Sequence, residues 1–274
     1  MSRIAGVFEA LRQSGRKAVI PYVVAGDPDP TGTVALLHEL VASGADVIEV
    51  GVPFSDPMAE GPVIQKGHER ALANGMTLRK VLSTVAEFRQ QNTQTPIVMM
   101  GYANPIERFG YEAFAAACAE AGVDGLITVD LPPEEVDAID TALQAVGLDN
   151  IFLISPTTPG PRIKTIVDRA RGFIYCVAVK GVTGSGQLDA EAVSESVALI
   201  RAKTALPIAV GFGIKDAESA RAVAAAADAV VVGSALIDKM EQEAAAGNTS
   251  QIQVHGAAVK LLQSIRAGVD SSPS

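Results

Sequence analysis

The chain has 274 residues, 48% of them hydrophobic, a net charge of −9 and only two cysteines. Acidity spread along the chain repels nucleic-acid phosphates, and Cys118 and Cys176, both in apolar segments, suit a reducing cytoplasm rather than a disulfide framework. Ile4, Val7, Phe8 and Leu11 recur at helical spacing around Glu9, which is no secretory leader. The apolar run 222–237 is broken by Asp228 and Gly233, so no membrane span is expected.

Eight short runs rich in β-branched residues follow in chain order. They are AVIPYVVAG from Ala18, DVIEVGVP from Asp46, PIVMMGY from Pro96 and GLITVDLP from Gly125. Then come IFLIS from Ile151, FIYCVAVKG from Phe173, PIAVGFG from Pro207 and AVVVGSA from Ala229. Near-continuous apolarity marks strands buried on both faces of a parallel sheet. Amphipathic segments such as 33–43 and 216–226 separate them. Gly-Ala-Asp at 44–46 and Gly-Val-Asp at 122–124 read as helix C-caps running straight into a strand. The alternation predicts an α/β protein, a single (β/α)8 TIM barrel over 1–268 with a disordered tail at 269–274. A doubly wound open sheet alternates in the same way, but no GxGxxG follows the first strand. Extra length between 61 and 92 leaves room for one additional short helix.

In such barrels chemistry sits where strands end and loops begin. Glu49 stands inside DVIEVGVP on one strand face with Val47 and Gly51, where an unpartnered charge costs several kcal/mol. A turn-rich loop leads from it to a second carboxylate, Glu60. Two acids at one mouth point to acid–base chemistry.

Three glycine-bearing turns follow the last three strands: GVTGSG at 181–186, GFGI at 211–214 and GSA at 233–235. Glycine lets backbone N–H groups approach an anion, and Ser234 can cap the following helix. Gly184, Gly213, Gly233 and Ser234 are therefore the candidate phosphate cradle; no Lys-Ser/Thr pair makes GVTGSG a nucleotide P-loop. An apolar slot is available from Tyr22, Met100, Ile127, Val129, Leu153, Tyr175, Phe212 and Val232. His38, His68 and His255 lie in helical segments, where solvated or packed side chains are the plain reading, and no metal site is predicted.

Taken together, EVGVPFSDPMAEGPVIQ from Glu49, AGDP from Ala25, VDLPPEE from Val129, KGVTG from Lys180 and the paired GFGI and GSA turns resemble the α subunit of tryptophan synthase, end to end. The resemblance implies a lyase that cleaves indole-3-glycerol phosphate by retro-aldol reaction to indole and D-glyceraldehyde 3-phosphate. It implies that Glu49 protonates the indole carbon and takes the neighbouring hydroxyl proton, while Glu60 accepts the indole N–H. Tyr22, Met100, Ile127, Tyr175, Thr183 and Phe212 would contact substrate, with Thr183 on a closing loop. The family commonly carries aspartate where this chain has Glu60. The added methylene moves the carboxylate by about 1.5 Å, and a misplacement of about 1 Å can cost on the order of a hundredfold. The resemblance also implies a β subunit in an α2β2 assembly, carrying pyridoxal phosphate, with no cofactor on this chain. Residues 53–58 and 104–109 are the expected contact loops, because Pro57, Met58, Pro105 and Ile106 are apolar and expected to be exposed. Two other readings remain at this point: a Schiff-base aldolase through Lys180, and a non-catalytic phosphate-ligand-binding regulatory subunit.

Overall fold

The structure, a computed structural model, describes residues 2–178, 190–211, 213–248 and 250–272. Eight parallel strands close into a barrel in sequence order. They are β1 Ala18–Val24, β2 Ile48–Gly51, β3 Ile97–Gly101, β4 Gly125–Thr128, β5 Asp149–Ile154, β6 Ile174–Val177, β7 Ile208–Gly211 and β8 Ala229–Val232. Each of the eight apolar runs thus supplies one strand. Helices cover the outside: α1 Arg3–Gln13, α2 Thr33–Ala42, α3 Pro62–Ala73, α4 Leu78–Arg89, α5 Ala103–Phe109 and α6 Tyr111–Ala121. The series continues with α7 Asp137–Ala145, α8 Gly160–Arg169, α9 Ala190–Arg201, α10 Ala217–Ala224, α11 Ser234–Ala245 and α12 Gln251–Asp270.

Local chemistry accounts for the boundaries. In α4, Val81, Leu82, Val85 and Phe88 form a buried stripe at helical spacing, and the Thr77 hydroxyl caps the start by accepting from Lys80 N–H. The spare length at 61–92 holds two helices, α3 and α4, and α3 opens on Pro62, whose fixed φ suits a first turn. Gly122 ends α6 in the left-handed region, as a C-cap glycine does.

The aspartates that follow these caps hold the bottom of the barrel together. Asp46, Asp124 and Asp228 each bracket the start of the preceding strand. Their carboxylates accept from Val19, Ile97 and Ile208 N–H at 2.9, 2.8 and 2.9 Å. Their own N–H groups donate back to the carbonyls of the same three residues. Arg266, Arg89 and Arg201 neutralise the three acids in turn. Asp124, the buried one of the three, accepts on both oxygens, from Arg3 on one and from Arg89 and Ile97 N–H on the other. Beneath them α1 stoppers the barrel floor, with Ile4 and Phe8 buried and the Phe8 ring 5.7 Å from that of Phe173.

Two expectations need correction. The tail does not start at 269: α12 runs on to Asp270, Val269 is 2% exposed, and Arg266 pairs with Asp270 at 2.6 Å. Residues 104–109 are not a loop but lie in α5, whose first N–H, from Ala103, donates to the Asp130 carboxylate at 2.7 Å. Of the apolar residues expected to be exposed, Met58 is 77% exposed, Pro105 is half-buried, and Pro57 and Ile106 are buried, Pro57 in its loop and Ile106 within α5.

Candidate active site

Register decides which side chains enter the barrel mouth. Tyr22 pairs with Glu49, Gly51 with Met100, Met100 with Ile127, and Leu153 with Tyr175. Neighbouring partners in parallel strands point the same way, so these residues share the inner face. Val232 pairs with Pro21, one residue out of step with that face. It therefore packs outward beneath the helices, and Val231 holds the inward place expected of it.

Glu49 is 1% exposed, and neither carboxylate oxygen has a hydrogen-bond partner among the described residues. Burial, and secondarily the charge of Glu60, push its carboxyl up to about 8. Burial alone pushes Glu60 up to about 7. The charged form of each acid is thus disfavoured by lost water, and an ionised Glu60 further disfavours ionisation of Glu49.

Two tyrosines flank the pair, each lying over a glycine of the next strand. A Cβ on Gly51 would stand 2.3 Å from the Tyr22 hydroxyl oxygen, and one on Gly211 would stand 2.1 Å from that of Tyr175. No side chain other than hydrogen fits beneath either phenol. Burial first and the two glutamates second raise both phenols well above the usual range, Glu60 weighing more on Tyr22 and Glu49 more on Tyr175.

The loop carrying Glu60 is docked by residues that the sequence did not single out for the site. The Phe54 ring stacks on Tyr102 at 5.2 Å, and Ala59 N–H donates to the Tyr102 hydroxyl at 3.2 Å. Phe54 N–H donates to His68 Nδ1 at 3.0 Å, and His68 Nε2 lies 3.3 Å from the Tyr22 hydroxyl. His68 is 1% exposed and burial pushes its imidazole down to about 4, so the packed reading of this histidine holds, at the edge of the site. Tyr102 carries a visible signal, an aromatic just past a strand end. His68 carries none beyond its place on a helix.

The glycine turns are only partly described. Thr183, Gly184, Phe212 and Lys180 lie outside the described residues, as does the 181–186 loop. Gly213 has φ +80, the left-handed region. Gly233 takes the cap position of α11 and Ser234 is its first helical residue, so Ser234 does not cap the helix as expected. Gly233 also makes room for Tyr22, whose Cδ1 would lie 3.0 Å from an added Cβ. A cavity of about 400 Å³ flanks this centre at the ends of β4, β5 and β6, with Val129, Leu153 and Val177 on its inner wall and neither glutamate lining it.

A closed parallel barrel that gathers a dry carboxylate, a second raised acid and two buried phenols at its mouth has the architecture of a barrel enzyme. Residues 8–266 match the family described as tryptophan synthase alpha chain. Relatives of that description include one from Thioalkalivibrio sulfidiphilus, 60% identical over 90% of this chain and 94% of its own length. Another, from Dechloromonas aromatica, is 54% identical over 98% of both. The crystal structure of tryptophan synthase subunit alpha from Legionella pneumophila superposes with a TM-score of 0.90 at 45% identity, covering 98% of this chain and 99% of that one. The chain belongs to the tryptophan synthase alpha chain family. It is a lyase subunit, and its reaction is the cleavage of indole-3-glycerol phosphate in tryptophan biosynthesis.

Proposed function

We propose that Glu49 and Glu60 divide the proton work of this cleavage between them. Glu49 starts protonated, gives its proton to the indole carbon that bears the side chain, and the resulting carboxylate then takes the proton of the adjacent hydroxyl. The carbon–carbon bond breaks as that hydroxyl becomes an aldehyde and the electron pair returns to the ring. Glu60, ionised, accepts the indole N–H and balances the positive charge that ring protonation creates. The observation that carries this reading is the pair of unpartnered Glu49 oxygens inside a dry barrel, on a carboxyl raised to about 8. Such an acid holds its proton at neutral pH, as the first step requires.

Tyr22, Met100, Ile127 and Tyr175 hold the indole ring, and Thr183 and Phe212 are further substrate contacts that the family resemblance implies. Gly213, Gly233 and Ser234, with Gly184, receive the phosphate, Ser234 offering a helix N-terminus whose positive end favours an anion. Proton transfer to an electron-rich ring asks for no electron sink beyond the ring, so pyridoxal phosphate belongs to the chemistry of a partner. That partner is a β subunit, docked on residues 53–58 and the nearby α5 in an α2β2 assembly, where indole passes on without release to bulk water. The cytoplasm suits a biosynthetic enzyme with two free thiols, and no helix among the described residues is long and apolar enough to cross a membrane.

Glu49→Gln tests the assignment. Indole release from indole-3-glycerol phosphate should fall below detection while calorimetric binding of the same compound survives. Turnover within tenfold of the parent chain would remove Glu49 from the role.

A further inference from the structure

His68 is buried, titratable and unused by the steps above, yet it bridges the loop that carries Glu60 and a tyrosine that faces both acids. Its valence fixes its direction. Phe54 N–H can only donate, so Nδ1, 3.0 Å away, bears no proton. A neutral imidazole then carries its one hydrogen on Nε2, and that N–H donates to the Tyr22 oxygen 3.3 Å away. With its oxygen accepting from His68, the phenol must send its own proton elsewhere. Tyr22 sits beside Glu49 in register, over the bare Gly51, and the charged groups acting on it are Glu60 and Glu49, with the phenols of Tyr102 and Tyr175 also near.

We infer that His68 is a positioning residue for the cleavage: its Nε2–H fixes the Tyr22 hydroxyl as a hydrogen-bond donor toward the ionised Glu60, Glu49 having no hydrogen-bond partner among the described residues. A phenol donor stabilises a carboxylate and not a neutral carboxylic acid, so it favours the ionised partner that the ring N–H requires. Burial, which keeps the imidazole neutral far below physiological pH, protects this arrangement from titration. The same imidazole anchors Phe54, and the Phe54 ring rests on Tyr102, so donor and acid loop are held in one frame. The inference rests on the proton-transfer reading above.

Four variants of the full chain separate the roles. His68→Asn keeps an acceptor for Phe54 N–H but no longer reaches Tyr22; His68→Gln places an amide N–H where Nε2–H was. Tyr22→Phe removes one oxygen and keeps the ring, and His68→Asn/Tyr22→Phe combines the two losses. The measurement is indole release from indole-3-glycerol phosphate across pH. His68→Asn and Tyr22→Phe should each lower kcat about tenfold, the worth of one charge-assisted hydrogen bond, with KM within about threefold. In both, the acid limb should move to higher pH. The double variant should be no worse than either single, and His68→Gln should regain most of the loss. Additive losses in the double variant, or an acid limb unmoved in Tyr22→Phe, overturn the inference. Nitrogen NMR of the histidine-labelled chain, assigned with His68→Asn, reads the tautomer without turnover. A neutral Nε2–H ring between about pH 5 and pH 8 is expected; an Nδ1–H ring, or conversion to imidazolium in that range, overturns it. A parent chain that releases no indole defeats the reaction reading alone and leaves the nitrogen measurement decisive for His68.

Discussion

At the scale of single residues, the roles proposed for Glu49 and Glu60 make two carboxyls raised by burial the groups that set the working pH. In those roles Glu60 acts ionised and burial holds its carboxyl at about 7, while Glu49 acts protonated and burial, with the Glu60 charge, holds its carboxyl at about 8. Activity therefore falls below the first value, where Glu60 cannot accept, and above the second, where Glu49 cannot donate. We predict a narrow bell in kcat/KM peaking between them, its limbs belonging to the coupled pair rather than to either acid alone. Glu60→Gln should erase the acid limb and lower kcat about a hundredfold. Indole release measured from about pH 6 to 9 decides this, and a flat profile would sink it. Glu49 was legible in the sequence because a charge inside an apolar run advertises its own cost. His68 was not, because its meaning comes from Tyr22, 46 positions away in the chain, and from a backbone N–H that no side-chain code announces.

At the scale of elements, the strands were legible because burial on both faces leaves little but apolar residues to write them with. The Gly-Ala-Asp and Gly-Val-Asp turns were legible as caps, but not as clamps on the preceding strand, since that partner is set by barrel closure. Helix α5 was missed because Asn-Pro reads as a turn, and because the carboxylate at its start, Asp130, comes from the next βα loop. The clamp has a measurable worth. Asp124 accepts from Ile97 N–H and from both Arg89 and Arg3, so Asp124→Ala would strand a buried guanidinium and a strand-end N–H. We predict a loss of about 3 kcal/mol in denaturant unfolding, with kcat within twofold or so of the parent because the clamp lies at the end of the barrel remote from the acids. A large fall in kcat with unchanged stability would contradict this division of labour.

At the scale of the whole molecule, the barrel separates a stability end from a working end. The floor carries α1 and the aspartate clamps; the mouth carries the acids, the tyrosines over their glycines and the outward loop. Met58 is the most exposed apolar side chain on that loop, while its neighbours Pro53 and Pro57 are tucked in. If the β partner docks there, Met58→Asp should weaken binding to a β subunit about tenfold by titration calorimetry, the worth of one desolvated apolar contact. Undiminished affinity would move the docking surface elsewhere. The overall architecture and the burial of Glu49 could be anticipated from the chain, whereas the exposure of Pro57 and Ile106 could not: it depends on how the loop of Pro57 and helix α5 pack on the rest of the barrel.

The stoppered floor has a consequence for hydrogen traffic. Ile4 and Phe8 are buried at the floor, so a ligand seated at the opposite end, above Glu49, would lie between that acid and solvent. On the roles proposed above, the hydrogen that Glu49 yields to carbon is replaced by the one leaving oxygen. The catalyst is thus reset by its own substrate, and the next turnover needs no proton from bulk water.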